Sequence, residues 1–437
     1  MTHQDRFGLA LSTASAEAAQ AWQRGTDRML CFWPGMVADF DAAIAADADF
    51  ALAYAGRARA RMMQGAMEPA RADCTRAEAL VLRNGDAREQ SHVAILARML
   101  AGQAQAALRA TLSHLDLWPR DALVFSYALG AFGLFAFSGM ADHDQARLGL
   151  CARHARHYGE DWWFLVAEGW SRTEAGDPRG GLAETERGFA LRPENAHAIH
   201  ALSHALFEQG AMAEAEARIA AFLPGYAPDA LLYGHVSWHL ALSLLDRGDV
   251  AGTLALYAAR LAPGVSASPP LNQISDGAAL LWRLHLAGVT IPQALWRDLS
   301  AYATPRFPPG GNGFTELHMA ILLAAGGEIA ALEARIAAAE ARVQAGGLPA
   351  GPVVTALARA FADFAEERYA AAARRLAVCA AETVRLGGSH AQREIVEDTC
   401  LIAHMRAGEA EAARAMLHAR LARRPSARDG RLLAGLA

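Results

Sequence analysis

His200 and His204 stand four residues apart, and so do His235 and His239. On a helix that spacing puts two imidazoles on one face, where each pair can offer two nitrogen ligands to a metal ion from a single element. Asp276 and Glu316 are carboxylates able to complete such a set, although no HExxH or comparable signature accompanies them. The same residues could move protons instead. An imidazole titrates near neutral pH and a carboxylate fixes its tautomer, so His204 or His239 would act as base with Asp276 as orienter, and Arg283 or Gln392 would bind an anionic or carbonyl group. Against both stands a plainer reading, in which each histidine is a semi-buried side chain bonded to its neighbours and Arg283 forms a buried ion pair with Asp276 or a neighbour. The expected cofactor is therefore none, with zinc or another divalent metal as the alternative.

Other chemistries are excluded more sharply. All 41 basic residues are arginine, so there is no Schiff-base lysine and no phosphate-loop lysine. Cys31, Cys74, Cys151, Cys379 and Cys400 are scattered and form no CxxC pair. No GxSxG surrounds Ser237 or any other serine, and the Gly310–Gly313 and Gly387–Ser389 loops lack the strand context of a dinucleotide site. A net charge of -5 leaves no basic face for nucleic acid. Met1 to Arg6 is polar, and the apolar run around Ala128 to Phe137 is too short to span a bilayer. A cytoplasmic protein that binds neither nucleic acid nor membrane is expected, and the spacing says nothing about its oligomeric state.

What must position the histidines is a repeat. Glycine recurs at Gly65, Gly102, Gly139, Gly176, Gly210, Gly248, Gly288 and Gly327, and again at Gly408, with Glu367 at the matching place in between. Each follows one apolar-periodic helix and precedes another, as the tight turn of a helical hairpin requires. Ala70, Ala107, Ala215 and Ala413 lie five residues after such a glycine, and Pro119, Pro193 and Pro425 lie seventeen after, which is the tetratricopeptide pattern. The expected fold is all-α: one α-solenoid over residues 1–437, with roughly ten tetratricopeptide-like helix pairs in a right-handed superhelix. Pro/Gly-rich insertions at 263–270, 304–313 and 346–352 are either slack surface loops or lids over the concave face.

With each turn glycine numbered 15, positions 2, 5, 6, 9, 12 and 13 of a first helix face the groove. His197, His200 and His204 occupy 2, 5 and 9 of one unit, and His235 and His239 occupy 2 and 6 of the next. His318 falls at 6, His285 at 12 and His92 at 5 of other units, and Trp163 at 2 and Trp238 at 5 join them. The expected binding groove comprises Trp163, His197, His200, His204, His235, Trp238, His239, Asp276, His318 and Gln392. Its ligand is expected to be a small polar molecule or a peptide; without lysine, the usual clamp for a peptide carboxylate is disfavoured.

The chain resembles a bacterial member of the tetratricopeptide repeat protein 38 family along its whole length. The resemblance is carried by Trp33 to Tyr54, by Glu89 to Val93 with Trp118 to Asp121, and by His200, His204, Glu208, Gln209 and Gly210. It extends through His235, Trp238 and His239, Asp276 to Arg283, Phe314 to His318, and Gly387 to Arg393. Phe207 stands where that family commonly has an acid, His390 where asparagine is usual and Glu316 where aspartate is common. The resemblance implies the repeat fold and no settled activity. Three functions follow from the sequence: ligand capture in the groove, acid–base or metal-assisted hydrolytic chemistry by its histidines, or a scaffold for assembly through the convex face and the final helices.

Overall fold

The computed structural model describes residues 3–436. A two-residue antiparallel ribbon, His3–Gln4 with Ala10–Leu11, precedes the helices. Among the described residues the helices fall into eleven successive pairs and a last single helix. The pairs run α1 (Ala16–Leu30) with α2 (Met36–Ala46), α3 (Ala51–Met63) with α4 (Met67–Asn84), and α5 (Ala87–Leu100) with α6 (Ala104–Leu117). Next come α7 (Ala122–Ala128) with α8 (His143–His154), α9 (Trp162–Glu174) with α10 (Pro178–Leu191), and α11 (Ala196–Glu208) with α12 (Met212–Phe222). Then follow α13 (Tyr233–Arg247) with α14 (Val250–Leu256), α15 (Pro270–Leu286) with α16 (Gln293–Ala303), and α17 (Gly313–Gly326) with α18 (Ile329–Gln344). The last are α19 (Val353–Ala365) with α20 (Tyr369–Cys379), α21 (His390–Arg406) with α22 (Ala410–Arg423), and the single α23 (Ala427–Ala434). This is an all-α solenoid of tetratricopeptide-like helix pairs. One more pair than the glycines mark stands at the N-terminus, where Gly35 caps α2.

Local chemistry explains the pairs. The turn glycines all have φ between 70° and 96°, and Glu367 takes the same left-handed turn at φ 60°. First helices begin at side-chain caps such as Asp161, Asn195 and Asn312, each accepting from a backbone N–H of the first turn. Where α9 crosses α10, a Cβ on Gly169 would sit 2.7 Å from the Gly181 carbonyl, so the absence of side chains at both places sets the approach. The fourth unit departs from the pattern. Its first helix stops at Ala128, and the apolar stretch through Gly139 continues as buried loop and a single 3-10 turn at Ala136–Ser138.

That stretch serves a contact far along the chain. Phe132 and Phe137 pack on Phe314, with ring centroids 5.2 and 6.3 Å apart, and Gly388 N–H donates to the Ala131 carbonyl at 3.1 Å. His143 Nε2 meets the Val384 carbonyl at 3.0 Å, and Arg393 donates to Asp144 at 3.1 Å. At the other end, Asp246 in the last turn of α13 accepts from Ser426 Oγ (2.8 Å) and the backbone N–H of Arg428 (3.2 Å). The superhelix therefore winds tightly enough to close on itself, and the concave face becomes interior.

The three insertions are tied down. Arg335 and Arg342 of α18 donate to the carbonyls of Phe307, Pro308, Gly310 and Gly311, Pro349 lies against Gly139, and Ser268 packs on Gly234.

Candidate metal centre

Four first helices in succession, α9, α11, α13 and α15, build the centre. On α11 the i, i+4 spacing stacks His200 above His204, and on α13 it does the same for His235 and His239. All four rings are buried, and one ligand atom from each falls within 4.8 Å of the others. His200 Nε2 lies 2.9 Å from His204 Nε2 and 3.0 Å from His235 Nε2. His239 completes the group, its ring centroid 4.6 Å from His204 and 5.0 Å from His235.

Carboxylates from the two outer helices orient two of the rings. Glu174, at the end of α9, lies 2.9 Å from His204 Nδ1, and Asp276 on α15 lies 2.9 Å from His235 Nδ1 through both oxygens. An acceptor at Nδ1 selects the tautomer with the proton there, so both rings turn a bare Nε2 lone pair inward. Trp238 stacks on His235 at 5.4 Å, with only 10° between the planes, and locks its orientation. Burial, then the neighbouring imidazoles, pushes His200 and His239 well below the usual histidine range, which leaves them neutral. Burial alone would raise Glu174, but its bond with His204 holds it below its ordinary value. His200 Nδ1 and His239 Nε2 are buried without a hydrogen-bond partner.

The other sequence-predicted residues go elsewhere. Trp163 joins an aromatic core with Phe7, Phe125 and Tyr158, at 6.5, 5.9 and 5.5 Å. Half-buried His197 lies between Phe32 and His200, tilted against the first ring and stacked on the second, and burial lowers its pKa to about 4. His318 is buried against its own helix, with Nδ1 2.8 Å from the Phe314 carbonyl. Gln392 closes a capping box with Ser389 at the start of α21. His92 bonds the Tyr127 hydroxyl at 2.8 Å, and His285 packs on Trp282. Glu316 accepts from Arg335 and the Gly311 N–H, so it does not complete the histidine set. Arg283 pairs with Asp398 at 3.3 Å and donates to the Ala391 carbonyl, because Asp276 is already engaged by His235. Asp276 likewise orients His235 and not His204 or His239.

Sequence reasoning missed Glu174. With Gly176 as position 15 it occupies position 13, itself one of the groove positions, so the pattern that placed the histidines also places their carboxylate partner.

No family model matches the chain. Among solved structures it is similar to yeast Tom70, at 14% identity over 92% of this chain and 83% of that one, with a TM-score of 0.35. The tetratricopeptide domain of P58(IPK) matches at 14% identity over 90% and 99%, with a TM-score of 0.20. A Naa15/Naa10 structure with HypK-THB bound matches at 14% over 93% and 63%, with a TM-score of 0.25. At these values the fold rests on the chain's own helix pairs.

Proposed function

We propose that the interior of the solenoid captures a small polar ligand, and that this ligand is a divalent transition-metal ion, zinc being the best match, held by His200, His204, His235 and His239. The observation that carries the reading is the convergence of four buried imidazoles, two of them backed by carboxylates on the far nitrogen. Four neutral nitrogens in a closed shell suit a tetrahedral ion. Zinc–nitrogen bonds of about 2.0 Å place tetrahedral ligands roughly 3.3 Å apart. The observed 2.9 and 3.0 Å contacts leave a short outward movement to reach that spacing.

Through its ligands the ion would join α11 to α13, and through Glu174 and Asp276 it would reach α9 and α15, pinning four consecutive first helices. Four protein ligands leave no open coordination position, which favours ligand capture and a structural role over hydrolytic catalysis. An extended peptide has no room along a face this buried, so a peptide partner would dock outside it. Membership of the tetratricopeptide repeat protein 38 family is part of the same proposal and rests on the landmarks from Trp33 to Arg393.

Elemental analysis of the purified protein, with calorimetric titration of the chelator-treated protein by zinc, tests the reading. One equivalent per chain in wild type, lost in His204→Ala with His239→Ala, is the expected result. Absence of stoichiometric metal and of zinc binding in folded wild type overturns it.

A further inference from the structure

A second polar site lies where the last helices close onto the middle units of the solenoid. A cavity of about 40 Å³ opens between α11, α13, α15, α21 and α22. That volume holds roughly three waters, the scale of a small organic anion. Its lining is apolar at Phe207, Leu242 and Leu245 and carries four arginines, Arg283, Arg420, Arg424 and Arg428.

Arg283 and Arg424 are both at least nine-tenths buried, at 3% and 8% exposure. Each keeps one guanidinium nitrogen, Nη1, buried without a hydrogen-bond partner in the protein, that of Arg424 having the Glu208 carboxylate at 3.8 Å, beyond hydrogen-bond reach. Arg283 uses Nε on Asp398 and Nη2 on the Ala391 carbonyl, and Arg424 uses Nη2 on both oxygens of Glu394, at 2.6 and 2.7 Å, while lying 3.9 Å above the Phe207 ring. A buried guanidinium N–H left unpaired is costly, and an oxyanion is the complementary acceptor.

We propose that this cavity binds a small monocarboxylate, its oxygens on Arg283 and Arg424 and its short aliphatic tail against Phe207, Leu242 and Leu245. Glu394, Asp398 and Asp246 also line the cavity, so its four arginines meet three carboxylates and one positive charge is left over, which matches a single carboxylate and disfavours a multiply charged ion such as phosphate. The apolar side chains of Leu242 and Leu245 in the lining add a reason for a carbon tail. Entry is from the rim, where Met212 and Asp246 are half-buried and Pro425 is exposed.

The test compares propionate with propionamide, which has the same shape and no charge, on the full wild-type chain by calorimetry and thermal shift at constant ionic strength. Propionate is expected to bind at least tenfold tighter than propionamide and to raise the melting temperature where chloride does not. Leu242→Trp, which fills the cavity from its apolar side and leaves every charged group in place, is expected to abolish the effect while the circular dichroism spectrum stays native. Equal binding of the two compounds, preference for inorganic phosphate, or no response beyond chloride in wild type overturns the proposal, whether or not the variant folds.

Discussion

The imidazole of His390 meets the carboxylate of Glu208 at 2.7 Å across 182 positions of sequence. The contact joins the first residue of α21 to the last of α11. It also sets the His390 backbone N–H 2.7 Å from Glu174, the carboxylate that orients His204. Ring closure and the histidine centre are thus one connected network.

Replacing Glu174 by Gln or Asp276 by Asn should lower zinc affinity 10- to 100-fold while leaving the helical spectrum unchanged, because the Nδ1 acceptor that fixes each ligand ring is weakened. Calorimetric titration of the two variants beside wild type measures this, and wild-type affinity in both would dismiss the carboxylates as orienting groups.

Acid should loosen the C-terminal closure. Burial would raise Glu394, yet Arg424 and Arg420 hold it down to about 2, below its ordinary 4.5. A depressed carboxyl stabilises fully above the unfolded value and loses that contribution as pH falls from about 4.5 toward 2. Chemical unfolding at stepped pH should show the loss in wild type. In Glu394→Gln the slope should shrink, with stability already reduced at pH 7.

Gly388→Ala should cost about 1–3 kcal/mol, since its φ is +75° and a Cβ there would collide with the Phe314 ring. Gly408→Ala shares the positive φ, +77°, but meets nothing within 4 Å, so it should lose only about 1 kcal/mol. Urea denaturation of the pair separates backbone strain from collision, and equal losses would contradict the packing described at Gly388.

Thiol reagents should leave the native protein unmodified at pH 7.5. All five cysteines are buried, and burial pushes Cys31 and Cys400 up to about 11 and Cys74 and Cys151 up to about 12. Mass spectrometry after maleimide treatment should find label only once denaturant is added; rapid native labelling at any of these four positions would show that its surroundings open.

The helix pairs were legible because a turn glycine and an apolar period are local signals. His200, His204, His235 and His239 were legible as one face for the same reason, since spacing of four and phase within the repeat need no knowledge of the rest of the chain. Local signals fail where two distant units meet. Trp163 holds a groove position by phase, yet Phe7 and Tyr158 cover it from neighbouring segments. Arg283 finds Asp398, 115 residues away, because Asp276 is already bound to His235. The interruption of the fourth unit at Ala128 is equally invisible to a periodicity argument. Its helical sequence is overridden by the contacts that Phe132 and Phe137 make with Phe314.

An open array of helix pairs can nucleate anywhere and grow by neighbour-to-neighbour steps, and its ends can fray independently. Closure changes that. The bond from Gly388 to Ala131 and the pair Arg393–Asp144 become available only when units from both halves already exist, and the entropy of joining segments some 250 residues apart must be met at that step. Folding should therefore end in a slow docking phase, and the C-terminal repeats, which would fray early in a linear stack, become the clasp on which cooperative unfolding of the whole chain depends.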